Sequence, residues 1–568
     1  MSSLASALYA RLHSSLASPS MLPSPPPSAS IGSWKSIAQR AQNHRDETLA
    51  AVQPPISDIT DIPQDSTSVP ETILTADELS ITESDPEKLI TRMASGELSS
   101  VQVTNAFLRR AAIAQKLVNC VTELLPEAAL GRAASLDAYL KEHGKPLPIS
   151  TKEMINIAGL TCNAAFISWH DRVPDSNAHI LDILLDAGCI LYARTTQPQT
   201  LMHLETSSNY YGTTVNPFNR NLTSGGSSGG EGALVGMRGS CLGIGTDIGG
   251  SIRSPAANNG VYGLRPTSKR LPMQGMTATM LGSEHILPVI GPLSTSLGGI
   301  KLFMKTLLDA QPWIREPSLV PLPWKTAPQL PGSEKGKVKL RLGVLTDDHV
   351  VRPHPPIRRA INDIVSKLSG IPEIEVIPFV PYNHDEAWTI ISSLYFADGG
   401  AEEKAAIGAS REPWRPLSKF IITENPNVKA LSIKEIWDLT IRRDEYRDGY
   451  ARRWTESGID VLLCPVGPGA APPIDSARYW GYTAQWNLLD YPTLVAPVSK
   501  VLPTDVAETE YQPRNEQDRY NHQLYDAVKY ANAPVSIQLV GRRYEDEKVV
   551  EAMEYLQEKL GLPWAEYV

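Results

Sequence analysis

The sequence predicts an α/β fold: a central mixed β-sheet sandwiched by helices, forming a single large domain with helical cap segments. Three observations carry this expectation. Short apolar runs recur at 189–193, 459–465, 494–498 and 535–540, and a run of four to eight apolar residues reads as a buried strand. Helical patterns lie between them. Ala178 to Ala187 is closed by Gly188 and feeds straight into the run that begins at Cys189, the alternation expected of a sheet with helices on both faces. The chain is also long enough, with 568 residues of which 42% are hydrophobic, to bury a large core.

Taken in order, the chain opens with an arm, 1–79. Residues 1 to 32 are rich in Ser, Ala, Leu and Pro and end in the Leu22 to Pro27 proline run, which favours a disordered tail. No acidic residue precedes Asp46, a trait of mitochondrial transit peptides. Arg11 is the only Lys or Arg before Lys35, however, so a cytoplasmic location is expected, with a mitochondrial one as the alternative. Trp34 is a candidate anchor for the arm, and 50–72 reads as an extended wrap.

The main domain is expected over 80–563. Asp85-Pro86 starts a helix, with a cap residue followed by proline at the first helical position, and Gly96 ends it. Ser99 or Ser100 caps the next helix, and 127–143 gives another. A short apolar run then ends in Lys152. Further on, 338–345 reads as a strand and 356–370 as a helix. Residues 385–455 are largely helical and polar, with Trp388, Tyr395, Trp414 and Trp437 assigned to core rather than to ligand contact. The final helix, 545–560, turns Val549, Val550, Met553, Leu556 and Leu560 inward. No internal repeat is present.

Composition narrows the function. A net charge of −9 gives no footprint for nucleic acid, which shows as a basic patch. Five cysteines (120, 162, 189, 241 and 464) lack CxxC spacing, so neither a disulfide framework nor a zinc site is expected. No apolar run approaches the roughly 18 residues of a membrane span.

The densest signal is Ser224 to Ser254, which holds eleven glycines. Glycine permits close backbone approach at an entropic cost, so this backbone is expected to present N–H groups to a phosphate or an oxyanion. A phosphate loop needs a Gly-Lys-Ser/Thr ending, and this stretch contains no lysine. Ser227 sits in a G-x-S-x-G string, the nucleophile elbow of α/β-hydrolases, but no downstream histidine has a recognisable context. At the other end, Ile248-Gly249-Gly250-Ser251 puts a serine after two glycines, where consecutive N–H groups can form an oxyanion nest. A serine hydroxyl needs a base. If that base is not histidine, a neutral lysine can serve, which points back to Lys152.

The run from Gly225 to Pro266, through Gly-Gly-Ser-Ser-Gly-Gly-Glu, Gly-Thr-Asp-Ile-Gly-Gly-Ser-Ile-Arg and Gly-Leu-Arg-Pro, resembles the signature of the amidase signature family. It is similar in detail to the fungal general amidases (acetamidase-like) and more distantly to fatty acid amide hydrolase. Thr195 to Glu205 and Arg478 to Asn487 share the likeness. The resemblance covers about 80 to 563 and implies the amidase signature fold. It also implies a Ser–cis-Ser–Lys triad, with Ser251 as nucleophile, Ser227 as the bridging serine after a cis peptide, and Lys152 as base. The N–H groups of Ile248, Gly249, Gly250 and Ser251 match the oxyanion hole, and Ser228, Asp247 and Arg253 match the residues that support that loop. The implied activity is hydrolysis of a small carboxylic amide to the acid and ammonia through an acyl-enzyme. It uses no cofactor and no metal; His203 and Glu205 are assigned to core packing or pocket lining. The oligomeric state is left open, a homodimer included.

One departure qualifies this. The family has a longer lead-in to its lysine strand than His143-Gly-Lys-Pro-Leu-Pro-Ile-Ser-Thr-Lys152. A shortened lead-in could keep Lys152 from Ser227, so a catalytically impaired relative is one alternative. An amidotransferase A-type subunit, which shares the signature but works with partner subunits and tRNA, is another.

Overall fold

Eleven strands make one twisted mixed sheet in the computed structural model, which describes residues 33–139, 146–330 and 339–564. In chain order the strands are β1 (Val121–Leu124), β2 (Leu147–Lys152), β3 (Cys189–Thr195), a small separate hairpin of β4 (Ser207–Ser208) and β5 (Gly212–Thr213), and β6 (Leu242–Asp247). They continue with β7 (Tyr262–Arg265), β8 (Val289–Ser294), β9 (Leu340–Val344), β10 (Ile374–Pro378), β11 (Val461–Pro465), β12 (Thr493–Lys500) and β13 (Pro534–Val540). The sheet order is β1-β3-β2-β6-β8-β7-β12-β13-β11-β9-β10. β2 runs parallel to both β3 and β6, whereas β6, β8, β7, β12 and β13 pair antiparallel in succession.

The helices form for local reasons that the sequence states. Pro86–Ala94 begins with proline after Asp85 and is followed by Gly96 at φ +77°, a left-handed position that glycine occupies without strain. Ser100–Val118 starts at a capping box in which Ser99 and Gln102 satisfy each other's backbone N–H, worth about 1 kcal/mol. The helix expected over 127–143 runs Pro126–Tyr139. The disordered tail expected over 1–32 and the segment His143 to Lys145 lie outside the described residues. The arm is helical from Trp34 to Ala50, and Ile37 and Ala38 bury against Ile167 and Tyr210, with Trp34 packed beside them.

Two large apolar cores and two small ones result among the described residues. The largest packs on the sheet through Leu147 and Ile149 of β2, Leu494 and Ala496 of β12, and Ile537 and Leu539 of β13. The second is aromatic and lies under the cap helices His384–Tyr395, Pro416–Ile422 and Ile433–Ser457, where Tyr450, Trp454, Trp480 and Trp486 are buried. Of the cap aromatics assigned to core, Trp437 departs: it is 62% exposed. All five cysteines are buried and unpaired. Among the described residues no helix is long and apolar enough to cross a membrane.

What this architecture does for the site is set by β2 and β6. They are parallel neighbours, with Ser150 opposite Gly243 and Thr151 opposite Ile244. Their carboxyl ends, Lys152 and Asp247, therefore open at the same edge of the sheet, where ligands of α/β proteins characteristically sit.

Candidate active site

Lys152 is the last residue of β2 and is fully buried. Its Nζ lies 2.6 Å from Ser227 Oγ and 2.9 Å from Thr246 Oγ1. The short lead-in therefore leaves Lys152 within reach of Ser227. Burial drives the ammonium down to about 7, against the opposing pull of the Asp247 and Glu231 carboxylates. A lysine that is half neutral near pH 7 can take a proton.

Ser227 precedes the helix Gly229–Gly236, and the Gly226–Ser227 peptide is cis. Neighbouring Ser228 clasps the second half of the signature. Its N–H donates to the Ser251 carbonyl at 3.0 Å, and its Oγ accepts from Thr246 N–H at 3.2 Å. Two segments separated in sequence by about twenty residues are thus tied together at the floor of one cavity.

Ser251 follows β6 and stands two residues before the helix Arg253–Asn258. It lines the same cavity as Ser227 and Thr246. No hydrogen bond joins the hydroxyls of Ser227 and Ser251, and such bonds commonly tighten only when substrate is bound.

Asp247 shapes the loop between them. One carboxylate oxygen accepts from Gly250 N–H at 2.9 Å, and the other accepts from Ile252 N–H at 3.1 Å. Arg253 grips the same carboxylate through Nε and Nη2, both at 3.0 Å, and Asn487 adds a further donor at 2.9 Å. Both ions are fully buried. Burial would raise the Asp247 carboxyl, but the Arg253 charge and the hydrogen bonds from Arg253 and Asn487 outweigh it and hold the group at about 2. A buried pair of this kind is costly to break from one side, by about 3–5 kcal/mol.

This geometry corrects one expectation. Gly250 N–H, assigned to the oxyanion nest, is already held by Asp247. The N–H groups of Ile248, Gly249 and Ser251 are engaged by no acceptor among the described residues. Gly250 serves the loop instead. Its φ is +129°, and a Cβ there would lie 2.5 Å from Thr483 Oγ1.

Several residues around the site were not singled out from the sequence. Thr246 is the second polar contact of Lys152. Glu231, fully buried, accepts from Ser150 Oγ at 2.6 Å and from Thr195 Oγ1 at 2.8 Å, and burial pushes its carboxyl toward the neutral form. Both lie inside the glycine-rich stretch, yet no spacing rule marks them. Tyr395, read as core, also lines the cavity and donates to the Ile248 carbonyl at 2.8 Å. His203 and Glu205 do not line the cavity. Both are buried, and Glu205 accepts from the N–H groups of Asp475, Ser476 and Ala477. Among the described residues no group of His, Cys, Asp or Glu could hold a metal ion.

The cavity measures about 340 Å³, within the range of small-molecule sites, roughly 300–1,000 Å³. Most of the remaining wall is apolar, with Met154, Met202, Met273, Met276 and Met280 supplying five thioether side chains, while Lys269, Glu284 and Glu316 also line it. A larger cleft of about 820 Å³, lined by Glu83, Asp85, Glu87, Glu554 and Glu558, contains neither a lysine nor a histidine.

The chain resembles known proteins over most of its length. A family model described as amidase matches residues 102–550. The acetamidase of Emericella nidulans is 38% identical over 548 residues, covering 93% of this chain and 98% of the relative. The acetamidase of Aspergillus oryzae is 38% identical over 548 residues, covering 93% of this chain and 99% of its own length. Among solved structures, a fatty acid amide hydrolase superposes with a TM-score of 0.85 at 34% identity, covering 93% of this chain and 95% of that one.

Proposed function

Because the chain belongs to the amidase family, we propose that it hydrolyses a carboxylic amide with an apolar acyl group, through a serine acyl-enzyme served by a lysine base. One observation carries the reading. A fully buried lysine lies 2.6 Å from a serine at the floor of a cavity that a second serine, beside unengaged backbone N–H groups, also lines.

The reaction follows from the groups present. Ser251 Oγ attacks the amide carbon and passes its proton to Ser227 Oγ, which passes its own to neutral Lys152 Nζ. The carbonyl oxygen becomes an oxyanion, held by the N–H groups of Ile248, Gly249 and Ser251, whose aim is fixed before the charge develops. The relay then runs backwards: Lys152 returns a proton through Ser227 to the amide nitrogen, and ammonia leaves as the C–N bond breaks. Water, deprotonated by the same relay, attacks the ester. The acid departs and Ser251 regains its proton.

The acyl class is read from the wall. An acetyl group would leave most of the methionine-lined space unfilled. Methionine is flexible and adapts to irregular apolar partners, so unbranched and aryl chains both fit this lining. Burial of each added methylene is worth about 0.8 kcal/mol, roughly fourfold in kcat/KM while the chain stays inside the cavity. Ammonia release from a series running from acetamide through hexanamide to decanamide tests this. The expected result is a kcat/KM that climbs with each methylene and then levels. A value highest for acetamide and falling with length would contradict the assignment and make the protein a short-chain amidase.

A further inference from the structure

The oxyanion loop is aimed from outside itself. A trans peptide holds its C=O and N–H antiparallel, so a donor that fixes one carbonyl turns the next residue's N–H the opposite way. Three successive carbonyls are fixed here. That of Ile248 accepts from the Tyr395 hydroxyl at 2.8 Å, that of Gly249 from Thr483 Oγ1 at 2.7 Å, and that of Gly250 from Ser254 N–H at 2.7 Å. The N–H groups they orient belong to Gly249, Gly250 and Ser251. The second goes to Asp247, while the first and third meet no acceptor among the described residues.

Of these three donors, Tyr395 alone lines the catalytic cavity. It ends the cap helix His384–Tyr395, is 3% exposed, and packs against Trp480 with ring centroids 6.2 Å apart. Burial raises its phenol well above the ordinary value, so the hydroxyl keeps the proton it donates. The fit beneath it is tight. A Cβ on Gly249 would lie 2.7 Å from Trp480 Cζ3 and 2.8 Å from the Tyr395 hydroxyl. The cap helix therefore seats directly on the peptide that joins Ile248 to Gly249.

We propose that Tyr395 is a positioning residue: its hydroxyl, by holding the Ile248 carbonyl, aims the Gly249 N–H at the developing oxyanion and so couples the seating of the cap to the rate of acyl transfer. This rests on the amide-hydrolysis reading above. Because Tyr395 acts through the backbone, its loss should weaken the transition state and leave ground-state binding alone.

The test is Tyr395→Phe, which keeps the ring, compared with wild type for kcat, KM and two inhibitors. One inhibitor is an alkyl boronic acid, which forms a tetrahedral anionic adduct on a serine. The other is the alcohol of the same chain length, which only fills the cavity. Removing an oxyanion donor outright costs about 10²–10³ in kcat; loosening one is expected to cost about tenfold to a hundredfold. KM and alcohol affinity should stay within about twofold, and boronate affinity should fall with kcat. Unchanged kcat and boronate affinity would overturn the proposal. So would equal losses for alcohol and boronate, because Tyr395 would then be pocket lining only. Should Tyr395→Phe melt early, Tyr395→Met, which also removes the donor, is read against the same inhibitor pair. Boronate-selective loss supports the proposal there and equal loss overturns it. Ser251→Ala is run in parallel. If it retains wild-type turnover, the underlying mechanism fails; if it is dead while Tyr395→Phe is normal, only the positioning role fails.

Discussion

Replacing Ser251 with alanine is expected to lower ammonia release from any amide substrate by at least about 10⁴-fold, with the fold intact. The magnitude follows from what remains. Removing a serine nucleophile leaves binding and the oxyanion donors, which by themselves retain only a small residue of catalysis. The fold should persist because the structural contact of Ser251 is its carbonyl, which accepts from Ser228 N–H, and alanine keeps that carbonyl. Turnover and a melting curve measured on the same preparation separate the two effects. A variant that melts like wild type and still turns over amide at more than a hundredth of the wild-type rate would remove Ser251 from the chemistry.

The second large effect is at Lys152. Lys152→Met fills the volume of the stem without supplying a base, and should lower kcat/KM by about 10²–10⁴-fold, the usual worth of a positioned general base. The pH profile makes the assignment specific. Burial lowers the lysine from its ordinary value to about 7, so the working, neutral form predominates above pH 7 and is lost as pH falls through it. Wild-type kcat/KM should therefore rise about tenfold per unit below pH 7 and level off above it. In Lys152→Met that limb should disappear. A limb that persists unchanged in the variant would assign the inflection to another group.

The alternation of helix and strand was legible because it is written locally. The strand read at 459–465 is Val461–Pro465, and the helix read at 178–187 is His179–Asp186. Gly96, Gly188, Pro86 and Ser99 mark ends through backbone preferences that need no tertiary partner. The strand order was not legible. That β8 lies between β6 and β7, and β12 between β7 and β13, depends on pairings across long sequence separations.

The site divides in the same way. Lys152, Ser227 and Ser251 stand in a motif whose residue types and order point to one chemistry, and the fold brings Lys152 against Ser227. The occupation of Gly250 N–H by Asp247 was hidden, since only the turn of the loop decides which N–H faces inward. Tyr395 and Thr483 reach the loop from elements more than a hundred residues away. The methionine wall is likewise assembled from β2's exit, the segment around Met202 and the 273–280 loop. No window of sequence contains these contacts.

The acyl-enzyme itself offers the most direct measurement. Wild-type protein is mixed with an activated ester or amide of a medium-length acid, quenched in acid within the first turnovers, and digested for peptide mass spectrometry. The account predicts one acyl group per chain, on the peptide containing Ser251, absent from Ser251→Ala and accumulating more slowly in Lys152→Met. An acyl group on Ser227 instead, or turnover with no acylated peptide at any quench time, would contradict it.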